Sequence, residues 1–220
     1  MTMDATSGRG SMRADPEAPI NWTHRVRQAW DRSLPLDHLL PERQPYYVGS
    51  WVYVFGVVTI AALGWVVASG VVLAFMGPQW WHDSNVGRFF NSIHFWSVQM
   101  FFIFMVLHLW GQYFMAGWRD GRALTWMVGV IVFGVSILTA FTGYLSQENF
   151  DSQFIAINAK DAMNAGGIGA FFNVLNFGQM YGLHVMLLPI GVTLLVVVHI
   201  VMVRARGVVK PIDAEGGVAR

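Results

Sequence analysis

The chain has 220 residues, 55% of them hydrophobic, 12% charged and none cysteine, with a formal net charge of +1. A soluble domain usually carries about 25% charged residues, so the deficit points to membrane-spanning helices; the net charge itself says little about partners, and no nucleic-acid partner is expected. Without cysteine, disulfides, thiolate metal sites, iron–sulfur clusters and thioether-linked haem are excluded within this chain, which leaves any metal to His, Met or oxygen ligands.

Residues 1–20 are polar and lack the apolar core of a cleavable signal, so they are expected to form a disordered leader. Residues 21–46 mix Trp22, Val26, Trp30 and Leu34 with Arg25, Arg27 and Arg32. That pattern suits either a short amphipathic helix on a membrane surface or a solvated leader. Residues 47–207 hold four apolar stretches long enough to cross a bilayer, at Val48–Met76, Phe89–Ala116, Leu124–Ser146 and Gly182–Val203. Gly77-Pro78 closes the first, and Gly121 marks the turn between the second and third. The loop from Gln147 to Phe177 carries scattered apolar residues and Gly166-Gly167, which suggests short helices resting on the membrane surface. Residues 208–220 form a tail. The expected fold is an all-α membrane protein, a four-helix bundle.

The cations predict its orientation. Arg9, Arg13, Arg25, Arg27, Arg32, Arg43, Arg119, Arg122, Arg204, Arg206, Lys210 and Arg220 fall in the leader, the second-to-third loop and the tail, whereas the opposite loops carry only Arg88 and Lys160. Both termini are therefore expected on the negative, cytoplasm-like side.

Two spans carry two histidines each: His94 and His108, fourteen residues apart, and His184 and His199, fifteen apart. Fourteen residues make nearly four helical turns, so both side chains share a face about 21 Å apart along the axis. Fifteen adds one more 100° step, which a supercoiled bundle can absorb. The second and fourth spans run in the same direction, so His94 lies level with His184 and His108 with His199. Each pair can give two axial nitrogens to one iron, and such an iron has no open position, which suits electron transfer. Four isolated core histidines would be the alternative, but ionisable groups inside a bilayer are costly and usually functional. His24, His38 and His82 fall outside the apolar runs and read as interfacial or solvated. The first span has Gly56 and Gly70, and the third Gly129 and Gly143, again fourteen apart. A porphyrin face wedged between helices needs positions without side chains.

Ser92-Ile93-His94-Phe95-Trp96-Ser97, Leu107-His108, Leu124-Thr125-Trp126 and Thr142-Gly143-Tyr144 together resemble the cytochrome b subunit of quinol–cytochrome c oxidoreductases, over roughly Trp22 to Ile212. Length and the fifteen-residue spacing resemble the short, split form, cytochrome b6. The resemblance implies two b-type haems, His94/His184 at the positive side and His108/His199 at the negative side. It also implies quinol oxidation at the positive side and quinone reduction at the negative side, the Q cycle of a respiratory-chain or photosynthetic complex, with a bacterial plasma membrane the expected location. Implied partners are a C-terminal cytochrome b-type subunit, a Rieske iron–sulfur protein, a c-type cytochrome, membrane lipid and a second copy of the complex; the chain would not be active alone. Arg204 matches a family arginine suited to a haem propionate, or else a membrane anchor. Asn91 stands where the family often has an arginine, with Arg88 one turn earlier as its implied substitute. Val54 stands where cytochrome b6 has a haem-linked cysteine, so no covalent haem is expected. Gly143-Tyr144 is followed by Leu145-Ser146-Gln147-Glu148-Asn149 in place of the family's leucine–proline–tryptophan run, with Glu148 either a proton acceptor or a solvated carboxylate. A dihaem anchor for a dehydrogenase or hydrogenase, and a haem-free scaffold, are the competing readings.

Overall fold

Seven α-helices and one π-helical turn order residues 46–212, the segment that the computed structural model describes along with Trp22, Arg25, Val26 and Ala29. The leader, most of the interfacial segment and the end of the tail lie outside the described residues.

A 3-10 turn at Tyr46–Gly49 leads into α1, Trp51–Met76, which contains no charge and no proline. Gly77 ends it at φ 78°, a conformation that side chains resist, and its N–H bonds the Leu73 carbonyl at 2.9 Å. α2, Pro78–Asp83, begins on proline, whose missing N–H would have been unpaired there anyway. Ser84 then caps α3, Asn85–Phe114, accepting from the Gly87 N–H at 3.3 Å. Gly87 is where α2 folds back, since a Cβ there would strike the Trp80 backbone. α4 is Ala123–Leu145, and α5, Phe150–Ala165, is capped by Asn149, which accepts from Ser152 N–H at 2.8 Å.

The last span is composite: α6, Phe177–Gly182, a π turn at Leu183–Leu187, and α7, Leu188–Arg206. The Leu188 N–H reaches back five residues to Leu183, and Pro189 has no N–H to offer Val185. The turn thus holds one residue more than an α turn. Four helical units among the described residues are long and apolar enough to cross a membrane: α1, α3, α4 and Phe177–Arg206.

α1 packs along α3, and α4 along α7, while the two pairs meet only sparsely. Between them sits an apolar plug of Ala62, Phe101 and Met105, joined by Val66 and Phe133. A second cluster of Leu145, Ala156, Val174 and Met180 packs α5 against the ends of α4 and α6. Large apolar side chains turn outward all round, as on Trp65, Phe75 and Leu194. A helix apolar on every face suits a lipid surround.

At the opposite end, arginines strap the chain's last described segment to the bundle. Arg122, buried, donates to the carbonyls of Gly207 at 3.4 Å and Arg206 at 3.3 Å and pairs with Asp120 at 3.1 Å. Arg119 donates to the Lys210 carbonyl at 3.1 Å, and the Tyr53 hydroxyl to Val209 at 2.7 Å. Arg122→Leu leaves those carbonyls without their charged donor, a loss of about 1–3 kcal/mol. The expected result is faster proteolytic cutting after residue 206 with the four-helix unit left whole.

Candidate functional site

α3 and the composite last span carry the four histidines, and the fold brings His94 against His184, their ring centroids 6.1 Å apart and their planes at 83°. His108 and His199 form the second level, His108 beside Gly56 of α1 and His199 beside Gly129 of α4. The π turn explains how a fifteen-residue spacing on one span matches fourteen on the other: it absorbs the extra residue just after His184 starts the count. A supercoiled bundle was the expected way to absorb it; the last span carries a local bulge at Leu183–Leu187.

The rings are held from behind. The Nδ1 atoms of His94, His184 and His199 lie 3.1, 2.9 and 3.1 Å from the carbonyls of Val66, Thr139 and Thr125. A carbonyl only accepts, so each Nδ1 carries the proton and each Nε2 keeps its lone pair for a metal. Ser69 adds its hydroxyl 3.0 Å from His94 Nδ1. Such partners fix ring orientation and raise ligand basicity. His108 differs: its Nδ1 is buried without a hydrogen-bond partner.

The glycines face these rings. A Cβ on Gly70 would sit 3.1 Å from Cε1 of His94, on Gly56 3.1 Å from Cε1 of His108, and on Gly129 3.1 Å from Cε1 of His199. On Gly143 it would collide with the His184 ring. The fourteen-residue glycine pairs therefore stand against the imidazoles.

A haem fits this donor set. Two metal–imidazole bonds of about 2.0–2.1 Å, with roughly 1.1 Å from each nitrogen to its ring centre, would place the centroids about 6.2–6.4 Å apart, near the observed 6.1 Å. Among the described residues no group of three or more His, Cys, Asp or Glu gathers to chelate a bare ion. Two imidazoles per level suit an iron that arrives with four nitrogens of its own.

The other expected site residues fall elsewhere. Arg88 is exposed, its Nη2 bonded to Asn85 Oδ1 at 2.6 Å, and it does not line the His94/His184 cavity. Arg204 is exposed on the last turn of α7, whereas Arg206 donates to Thr125 Oγ1 at 3.2 Å, on the residue whose carbonyl holds His199. Glu148 is exposed with φ 53°, and His82 is exposed on α2. Ser69 and the carbonyls of Val66 and Thr139 had no sequence signal; Asn91 and Gln147 stood out only as departures from the family pattern, and their mutual bonds at 3.0 and 3.2 Å were not foreseen.

The arrangement defines a class: an all-α integral membrane bundle with two levels of facing histidines. A profile of the Cytochrome b/b6/petB family matches residues 43–207. Cytochrome b6 of Oltmannsiellopsis viridis is 27% identical over 215 residues, 86% of this chain and 99% of that protein. Cytochrome b6 of Chlamydomonas reinhardtii is 31% identical over 143 residues, 59% of this chain and 66% of that protein. A chain of a solved "Hyperthermophilic respiratory Complex III" superposes with TM-score 0.64 at 21% identity, covering 86% of this chain and 55% of that one. The chain belongs to the cytochrome b/b6/petB family, which implies b-type haems and an oxidoreductase subunit of the bc/b6f electron-transfer type.

Proposed function

We propose that this chain is the dihaem electron-carrying subunit of a quinol–cytochrome c oxidoreductase, or of one with a similar acceptor. One haem would be held by His94 and His184, the other by His108 and His199. The observation that carries the reading is the facing of His94 and His184 at 6.1 Å with both Nδ1 protons committed to backbone carbonyls. When bound, the haems supply reversible one-electron iron chemistry. The four histidines would hold the groups, backbone carbonyls fix the tautomers of His94, His184 and His199, and Phe101, Met105 and Phe133 exclude water from the middle of the bundle.

The α2/α5 end faces the positive side in this reading, because the opposite end gathers Arg119, Arg122, Arg206 and Lys210. Quinol would be oxidised at the first end and quinone reduced at the second, so that the chain carries an electron across the membrane. An uncoupled charge crossing is worth about 2.3 kcal/mol per 100 mV, which two stacked sites divide into shorter moves. A C-terminal cytochrome b-type subunit, a Rieske iron–sulfur protein, a c-type cytochrome and a second copy of the complex complete the assembly, in a bacterial plasma membrane.

The test is a dithionite-reduced minus oxidised spectrum with a pyridine haemochrome assay on the purified protein. Two b-type haems per chain, and one in His184→Ala, are the expected result. A colourless protein or a c-type adduct overturns the ligand assignment.

A further inference from the structure

The two glycines of α1 lie in a short internal repeat: Val52, Phe55 and Gly56-Val57-Val58 recur fourteen residues on as Val66, Ser69 and Gly70-Val71-Val72. The backbone stands in the same relation to both rings, since a Cβ on either glycine would lie 3.1 Å from Cε1 of the facing histidine. The repeat departs at the residue before the glycine, phenylalanine beside His108 and serine beside His94. What backs the two rings departs with it. Ser69 is buried, and its one hydroxyl proton goes to the Trp65 carbonyl at 2.6 Å, with the Val66 carbonyl a weaker acceptor at 3.2 Å. The oxygen's lone pairs are left, and they stand 3.0 Å from His94 Nδ1, next to the Val66 carbonyl at 3.1 Å. The single Nδ1–H of His94 is thus shared between two acceptors. His184 and His199 have one carbonyl each, and the buried Nδ1 of His108 has no partner.

We propose that the Ser69 hydroxyl, as a second acceptor for the His94 Nδ1–H, makes His94 the most strongly donating of the four imidazoles and so tunes the potential of the haem that His94 would hold. This rests on the reading of His94 and His184 as haem ligands. An acceptor on Nδ1–H moves electron density toward Nε2 and raises its basicity as a ligand. A more basic axial nitrogen favours the oxidised iron, which carries the greater positive charge, and lowers the midpoint potential. The Val66 carbonyl alone would hold the tautomer, so what the serine adds is electron density. Ser69 touches no iron and acts through His94, as a positioning residue. Phe55 has no lone pair to offer in the corresponding place, so one residue of the repeat makes the two levels unequal.

The experiment is an optical redox titration of the purified holo-complex on wild type, Ser69→Ala, Ser69→Thr and Phe55→Ser. The haem at issue is the one that His184→Ala loses. Ser69→Ala removes a single oxygen atom, and the expected result is an upward shift of that haem's midpoint with the other haem unmoved. Ser69→Thr restores the hydroxyl and is expected to restore the wild-type midpoint. Phe55→Ser carries a hydroxyl to the other level, where a downward shift of the His108/His199 haem is expected. Two haems in Ser69→Ala with both midpoints at their wild-type values overturn the inference and leave the ligand assignment standing. A shift that threonine does not reverse overturns it as well, because packing and not the hydroxyl would then be the cause. If Ser69→Ala assembles poorly, Phe55→Ser decides: two haems with the His108/His199 midpoint unmoved reject the inference. A wild-type protein without haem overturns the assignment, and the inference with it.

Discussion

Gly143→Ala is expected to leave the protein with one haem in place of two. In an exposed helix interior the same exchange stabilises by about 0.5–1 kcal/mol, because glycine loses more freedom on folding. Here the new Cβ collides with the His184 ring. The ring cannot swing away without breaking its Nδ1–H bond to the Thr139 carbonyl, 2.9 Å long. One of the two is lost, and either loss turns Nε2 from its place opposite His94. The other glycines grade the effect. At Gly70, Gly56 and Gly129 the added carbon would lie 3.1 Å from a ring atom, tight enough to displace the imidazole by tenths of an ångström. Alanine there is expected to keep both haems and move one potential. Gly134, on the same helix as Gly129 and Gly143, has no atom within 4 Å of its Cβ position, so Gly134→Ala should change neither haem. Haemochrome counts with redox titrations across these five variants check the order. Equal haem content in Gly143→Ala and Gly134→Ala would mean that the glycines serve helix packing alone.

The spans and the histidine levels were readable from sequence because both follow from periodicities that a membrane imposes along the chain. The expected Leu124–Ser146 and the observed α4, Ala123–Leu145, differ by one residue at each end, since charge and polarity change abruptly there. The last span was less legible: expected from Gly182, it begins at Phe177, because Gln179 and Tyr181 dilute the apolar signal at its start. The glycine spacing was visible but its partner was not. Which atom a glycine faces is settled by helix rotation, which places an imidazole beside each of the four. The Asn91–Gln147 pair joins residues 56 positions apart, on elements whose meeting no local pattern encodes. Arg88 looked able to replace a cation at Asn91 by helical spacing, yet the competing acceptor Asn85, one turn back on the same helix, holds its guanidinium outside.

The π turn is the feature on which the level pairing depends, and a pair of deletions isolates it. At 100° per residue, fourteen residues return to within about 40° of their starting face, while fifteen overshoot by about 60°. The bulge at Leu183–Leu187 holds the extra residue, closed by the Leu188 N–H on Leu183 and kept open by Pro189, which cannot restore the shorter bond to Val185. Deleting Met186, which points outward at 62% exposure, together with Pro189→Ala, gives His184 and His199 a spacing of fourteen on an unbroken α-helix. Everything beyond the bulge keeps its rotation and height, so both haems are expected to remain. α3 has no such reserve. Deleting Ile103, equally outward at 54% exposure, leaves His94 and His108 thirteen apart and turns one of them by about 100° from its partner. That variant is expected to keep at most one haem. If both deletions strip haem alike, the bulge is incidental to the pairing. If the first keeps two and the second does not, the extra residue in the last span is a register device and the imidazole levels are what it preserves.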